Sequence, residues 1–209
     1  MKWLMCLMTF VLVPACMGQW ELGVLGGYGF PTEVNVEGSA GSGKTGFAHG
    51  ATFGVLAGDN MYRYVGAEVR YLYRMNDMKL KASGADVKFA AHSHLVHFDL
   101  LFHTAPKESR VRPFFAGGAG VRVYQGTGTE SSYQPGNALV VLTHTRETTP
   151  LATAGGGVKV KASDRFMIRA EVRDYISPVP TKMITPMRDS KLGSWFHDIV
   201  PMVAFEFTF

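Results

Sequence analysis

The stretch Ile199-Val-Pro-Met-Val-Ala-Phe-Glu-Phe-Thr-Phe209, "IVPMVAFEFTF", alternates apolar and non-aromatic residues to its last position. Ile199, Val203, Phe205, Phe207 and Phe209 fall on one face, and Asp198, Met202, Glu206 and Thr208 on the other. A period of two is the signature of a β-strand, in which successive side chains point to opposite sides of the sheet. One face here is apolar and aromatic, while the other carries two carboxylates. The sequence must therefore decide which face is enclosed.

The same rule recurs toward the amino end. In "WELGVLGGYGF", Trp20, Leu22, Val24, Tyr28 and Phe30 oppose Glu21, Gly23, Leu25 and Gly27. In "YVGAEVRYLY", Val65, Ala67, Val69, Tyr71 and Tyr73 oppose Tyr64, Gly66, Glu68, Arg70 and Leu72. From 166 onward, Phe166, Ile168, Ala170 and Val172 oppose Met167, Arg169, Glu171 and Arg173. Segments 47–57, 89–103, 111–124 and 149–162 alternate with lower contrast, which makes eight candidate strands. Each is near or above the ~9–11 residues that a tilted membrane-crossing strand needs.

The connections alternate in length. Segments 31–46, 75–88, 125–148 and 177–196 are long and rich in Gly, Ser, Thr, Pro and charge, whereas 58–61, 104–110 and 163–165 are short turns. Long loops at one end and short turns at the other characterise a transmembrane barrel. The polarity of the faces agrees. Aromatic and aliphatic residues form a continuous lipid-facing band, while Glu21, His97, Lys161 and a set of nine charged residues share the enclosed side. Those nine are Glu68, Arg70, Asp99, Arg122, Lys159, Arg169, Glu171, Arg173 and Glu206, expected to pair with one another as a lumen charge network. Glycines 27, 54, 118, 120, 155 and 157 on the same face leave room for them.

The start of the chain has a different character. "MKWLMCLMTFVLVPACMG" sets one lysine before a short apolar run ending in small residues, as a secretory signal peptide does. Residues 1–18 are assigned to that signal and 19–209 to the barrel; cleavage after Ala15, or lipid attachment at Cys16, are the alternatives. Both cysteines lie in this segment, so the exported domain owes nothing to disulfides. The formal net charge is +4, but Lys and Arg are scattered without a linear cluster, which argues against a nucleic-acid partner.

The eight alternating segments, the signal peptide and the ending "VAFEFTF" together make the chain similar to the small eight-stranded outer-membrane β-barrel superfamily. The OmpA transmembrane domain, OmpX and OmpW belong to it. The resemblance spans Trp20 to Phe209 and implies an all-β, antiparallel, up-and-down transmembrane barrel in the bacterial outer membrane. It also implies that Val203, Phe205, Phe207 and Phe209 serve as the signal read by the outer-membrane assembly machinery.

A few residues within that framework suggest chemistry. "GSAGSGKT" at 38–45 fits the phosphate-binding pattern G-x-x-x-x-G-K-[ST], but glycines 46, 50 and 54 follow where a helix would have to start. No nucleotide is expected, and the segment reads as a flexible loop tip with a solvated lysine. His92 and His94 share a face while His97 and His103 take the other, so the four cannot converge on one metal ion. Ser93 of "HSH" points away from both histidine neighbours. No catalytic, cofactor-binding or metal-ligating residue is assigned. The expected role is a structural or surface-interaction scaffold whose loops 125–148 and 177–196 meet an extracellular ligand; the alternative is a narrow channel or a carrier for small or hydrophobic solutes.

Overall fold

A computed structural model describes residues 20–39, 41–82, 85–128, 139–187 and 189–209. The assigned signal peptide and part of loop 125–148 lie outside the described residues. Eight long strands close into one antiparallel barrel: β1 (Trp20–Pro31), β4 (Gly50–Asp59), β5 (Val65–Met75), β8 (Ala91–His103), β9 (Val111–Gly126), β11 (Arg146–Lys161), β12 (Phe166–Pro178) and β15 (Trp195–Thr208). Each pairs with its neighbours in sequence among these eight, and β15 pairs back onto β1, with Glu21 opposite Thr208 and Val24 opposite Phe205. Closure removes both sheet edges, which is what permits strands to cross a bilayer.

The expected alternation is borne out. Val24, Phe53, Val69, Phe98, Phe115, Val172 and Phe205 are exposed on the outer wall, while Glu68, Arg70, Asp99, Arg169 and Glu171 are buried inside. Two residues depart from the expected inward face. Tyr64 precedes β5 and is exposed, and Lys161 ends β11, where its half-exposed ammonium pairs with Asp164 in the following turn at 3.1 Å.

The larger departure concerns the long connections, which are folded. Five short strands form a second sheet, in the order β14 (Lys191–Leu192), β2 (Val34–Gly38), β3 (Gly41–Phe47), β6 (Met78–Ala82), β7 (Ala85–Phe89). A further pair, β10 (Val140–Leu142) and β13 (Ile184–Pro186), makes a two-stranded ladder. These elements enclose their own apolar core, including Val36, Phe47, Met78, Leu80, Phe89, Leu142, Ile184 and Phe196. Phe47 stacks on Tyr124 at 4.9 Å and meets Phe196 edge-on at 5.4 Å, which ties the core to the rims of β9 and β15. The long loops thus build a cap over one barrel mouth.

This corrects the reading of "GSAGSGKT". Ser42 to Thr45 belong to β3, paired with β2 (Asn35 opposite Lys44) and with β6 (Lys44 opposite Lys81). Gly41, at φ +126°, supplies the left-handed backbone that this hairpin turn requires. No helix follows, so the motif lacks the helix terminus on which phosphate binding depends.

Candidate functional site: a charged lumen beneath a folded cap

The barrel lumen is built in layers that follow the alternation of its strands. Inward positions read Glu68, Arg70, Leu72, Arg74 up β5, Asp99, His97, Leu95, Ser93 up β8, and Glu171, Arg173, Tyr175, Ser177 up β12. Charged residues therefore meet at mid-barrel, with an apolar layer above them and a second polar group at the cap end.

The central group is a single ion-pair network. Glu68 accepts from Arg70 at 2.7 Å, from Arg169 at 2.9 Å and from Arg173 at 2.8 Å. Glu171 receives Arg70 through both terminal nitrogens of its guanidinium, in the fork geometry that suits arginine to carboxylates. Arg173 also reaches Asp99 at 3.1 Å, and Asp99 lies 2.9 Å from His97 Nδ1 and accepts from Thr153. Arg169 extends the network to Glu206, and Lys159 bridges Glu206, at 3.3 Å, to Glu21. Asn60 then donates to Glu21 and accepts from Arg112 at 3.2 Å. Arg70, Arg169 and Arg173 have no solvent-accessible surface at all. Unpaired, each such charge would cost several kcal/mol; here each lies among opposite charges.

Above this lies the apolar layer of Leu72, Leu95, Leu151, Tyr175, Val200 and Met202, all buried. The upper polar group centres on Asp198, which pairs with Arg74 at 3.0 Å and Arg122 at 3.3 Å. Arg122 donates to Ser93, which donates onward to Asn76. Backbone and side chain approach closely here: a Cβ added at Gly29 would fall 1.4 Å from Arg74 Nη1. Lower down, one added at Gly118 would fall 2.2 Å from Asp99 Oδ1.

Eight of the nine expected network residues thus meet in one cluster, and the ninth, Arg122, belongs to the separate group around Asp198. Arg74, Arg112 and Asn60 were not anticipated, although Arg74 continues the inward series of β5 by one more step of two. His97 and His103 are buried inward, whereas His92 and His94 sit outside against Tyr73, with His94 Nδ1 2.8 Å from Tyr71 Oη. Among the described residues, no group of three or more His, Cys, Asp or Glu side chains is placed to hold a metal.

On the cap, the outer face of the five-stranded sheet carries Asn35, Glu37, Lys44, Lys79, Lys81 and Lys88. Glu33 pairs with Lys79 at 3.3 Å and Lys81 at 3.2 Å. Partial burial pushes the Glu33 carboxyl up, but the hydrogen bonds and charge of Lys81 and Lys79 outweigh it and hold the group below the usual carboxylate range.

Comparison with known proteins agrees with this geometry. The chain is similar to the crystal structure of Neisserial surface protein A, with a TM-score of 0.59 and 10% identity, covering 91% of this chain and 97% of that one. It is also similar to the outer-membrane protein AlkL in lipid bilayers, with a TM-score of 0.52 and 13% identity over 94% and 95% of the two chains. No protein-family model matches the sequence, and no curated protein does either. The fold is that of a small eight-stranded outer-membrane β-barrel, with the apolar outer wall that an outer-membrane location requires.

Proposed function

We propose that the protein is a sealed outer-membrane scaffold that anchors a folded extracellular cap, and that it acts through that surface without catalysing a reaction. The observation that carries this reading is the filled lumen. Side chains of zero accessible surface occupy mid-barrel, an apolar layer covers them, and the cap core closes the mouth. An eight-stranded barrel has an interior just wide enough for side chains to fill it, and at mid-barrel this one is filled by charges paired with one another. The outward Val203, Phe205, Phe207 and Phe209 on and beside β15 support a role in recognition by the assembly machinery.

Conductance in planar bilayers tests the proposal. Insertion of the purified protein is expected to be electrically silent. Steady unitary currents that are lost on Arg122→Gln or Lys159→Gln would make the lumen a conduction path and the alternative, a narrow channel, the correct reading.

A further inference from the structure

The outer wall of the hairpin joining β5 to β8 changes character in steps along its length. On β5 and its continuation β6, the outward positions read Val69, Tyr71, Tyr73, Met75, Asp77, Lys79, Lys81. On the returning β7 and β8 they read Asp86, Lys88, Ala90, His92, His94, Val96, Phe98. The phase of two runs through the breaks at 76–77 and at 90, because Arg74, Asn76, Met78 and Leu80 stay buried inward, as do Phe89, Ala91 and Ser93. One continuous face therefore passes from aliphatic, to Tyr and His, to lysine. The first two zones match the acyl region and the aromatic belt of a bilayer leaflet.

The lysine zone is electrostatically unusual. Lys79 lies directly opposite Lys88, and Lys44 directly opposite Lys81. Like charges facing each other across strands are destabilising, yet two such pairs sit side by side. Among the described residues the carboxylates beside them are Glu33, bound to Lys79 and Lys81, Asp86, opposite Lys81, Glu37, which faces Lys191 across the sheet, and Asp77, next to Lys79 on the same face. Lys44 and Lys88 make no ion pair among the described residues and are exposed. A shallow groove of 270 Å³ runs beside Lys44 and Lys81, lined also by Asn35, Glu37, Ser42 and Gly43.

Height selects the occupant. Lys79 is six residues beyond Tyr73, about 15 Å above the aromatic belt at the rise and tilt of a barrel strand. A phosphatidyl headgroup layer is only about 5–7 Å thick, so these lysines stand above it. A glycolipid headgroup of several sugars reaches them. We propose that this lysine wall binds the phosphorylated saccharide headgroup of lipopolysaccharide in the surrounding outer leaflet. The aromatic belt holds the acyl end of the lipid, and Lys44, Lys79, Lys81 and Lys88 take its anionic groups. The inference rests on the outer-membrane fold and is independent of whether the lumen conducts.

The test uses the full chain, purified, placed in phosphatidylcholine nanodiscs and checked for folding by the gel shift between boiled and unboiled samples. Retained glycolipid is measured by native mass spectrometry after titration with lipopolysaccharide or its dephosphorylated form. The phosphorylated form is expected to bind preferentially, with affinity falling about fivefold per lysine neutralised in K79Q/K81Q/K88Q and falling with added salt. The single variant K88Q touches an unpaired, exposed lysine and serves if the triple variant loses its gel shift. Equal binding of both glycolipid forms, or unchanged affinity in the folded variants, would overturn the proposal. Selective capture of a soluble sulfated polysaccharide, without preference for phosphorylated lipopolysaccharide, would overturn it too.

Discussion

The barrel and the cap are built on the same strand-like alternation but with opposite polarity. Below the rim, Glu68, Arg70 and Arg74 point inward and Val69, Tyr71 and Tyr73 outward; above it, Met78, Leu80 and Ala82 point inward and Lys79 and Lys81 outward. The hairpin does not change its geometry at this boundary. What changes is the surrounding medium. Lipid tolerates no exposed charge, so the barrel keeps its ionic groups inside, whereas water surrounds the cap and drives its apolar groups together. The lumen is consequently held by directional ion pairs and the cap by nondirectional packing.

Removing one member of the ionic cluster is the harshest way to break this contrast. Glu68 receives three guanidiniums, so Glu68→Ala leaves several cations buried without their common partner. A loss of about 3–5 kcal/mol is expected, read as a lower urea midpoint and a lower temperature for the boiled-versus-unboiled gel shift. Phe47→Ala addresses the other side. It removes the ring that contacts both Tyr124 and Phe196 and is expected to weaken the cap by about 3–4 kcal/mol. Protease is then expected to nick the cap while the barrel still shifts on the gel; simultaneous loss of both would show that the two regions are one cooperative unit. Gly29→Ala is milder, about 1–3 kcal/mol, because the flexible end of Arg74 can move at the cost of its contact with Asp198. Restoration of the gel-shift midpoint by a second change, Arg74→Met, would sharpen the assignment.

The contrast also explains what could be read from the chain before its structure. The barrel strands were legible because lipid outside and charge inside impose strict alternation over ten or more residues. The cap strands were not, because each is short and their composition looks like loop. "VNVEG" and "GSGKTGF" are rich in Gly and polar residues, and the inward phase shifts by one residue between Pro31 and Val34 and again between Phe47 and Gly50. "MKLKA" and "ADVKF" do alternate, in phase with β5 and β8, and were the usable signals. Within the lumen the residue types were readable but their partners were not. Asp198 sits far along the chain from Arg74 and Arg122, and only barrel closure brings them together. The lysines of the cap look scattered for the same reason, since Lys44 and Lys81 become neighbours only through β3–β6 pairing.

The pairing of β1 with β15 has a consequence in time. It joins Glu21 to Thr208, near the two ends of the described chain, so this single ladder encloses nearly all the rest. Until it forms, two raw strand edges remain open, each able to recruit a foreign strand. Contacts this distant in sequence make folding slow, and slow folding prolongs that exposure. The one ladder that seals the barrel therefore also removes the two edges through which it could pair with a foreign chain.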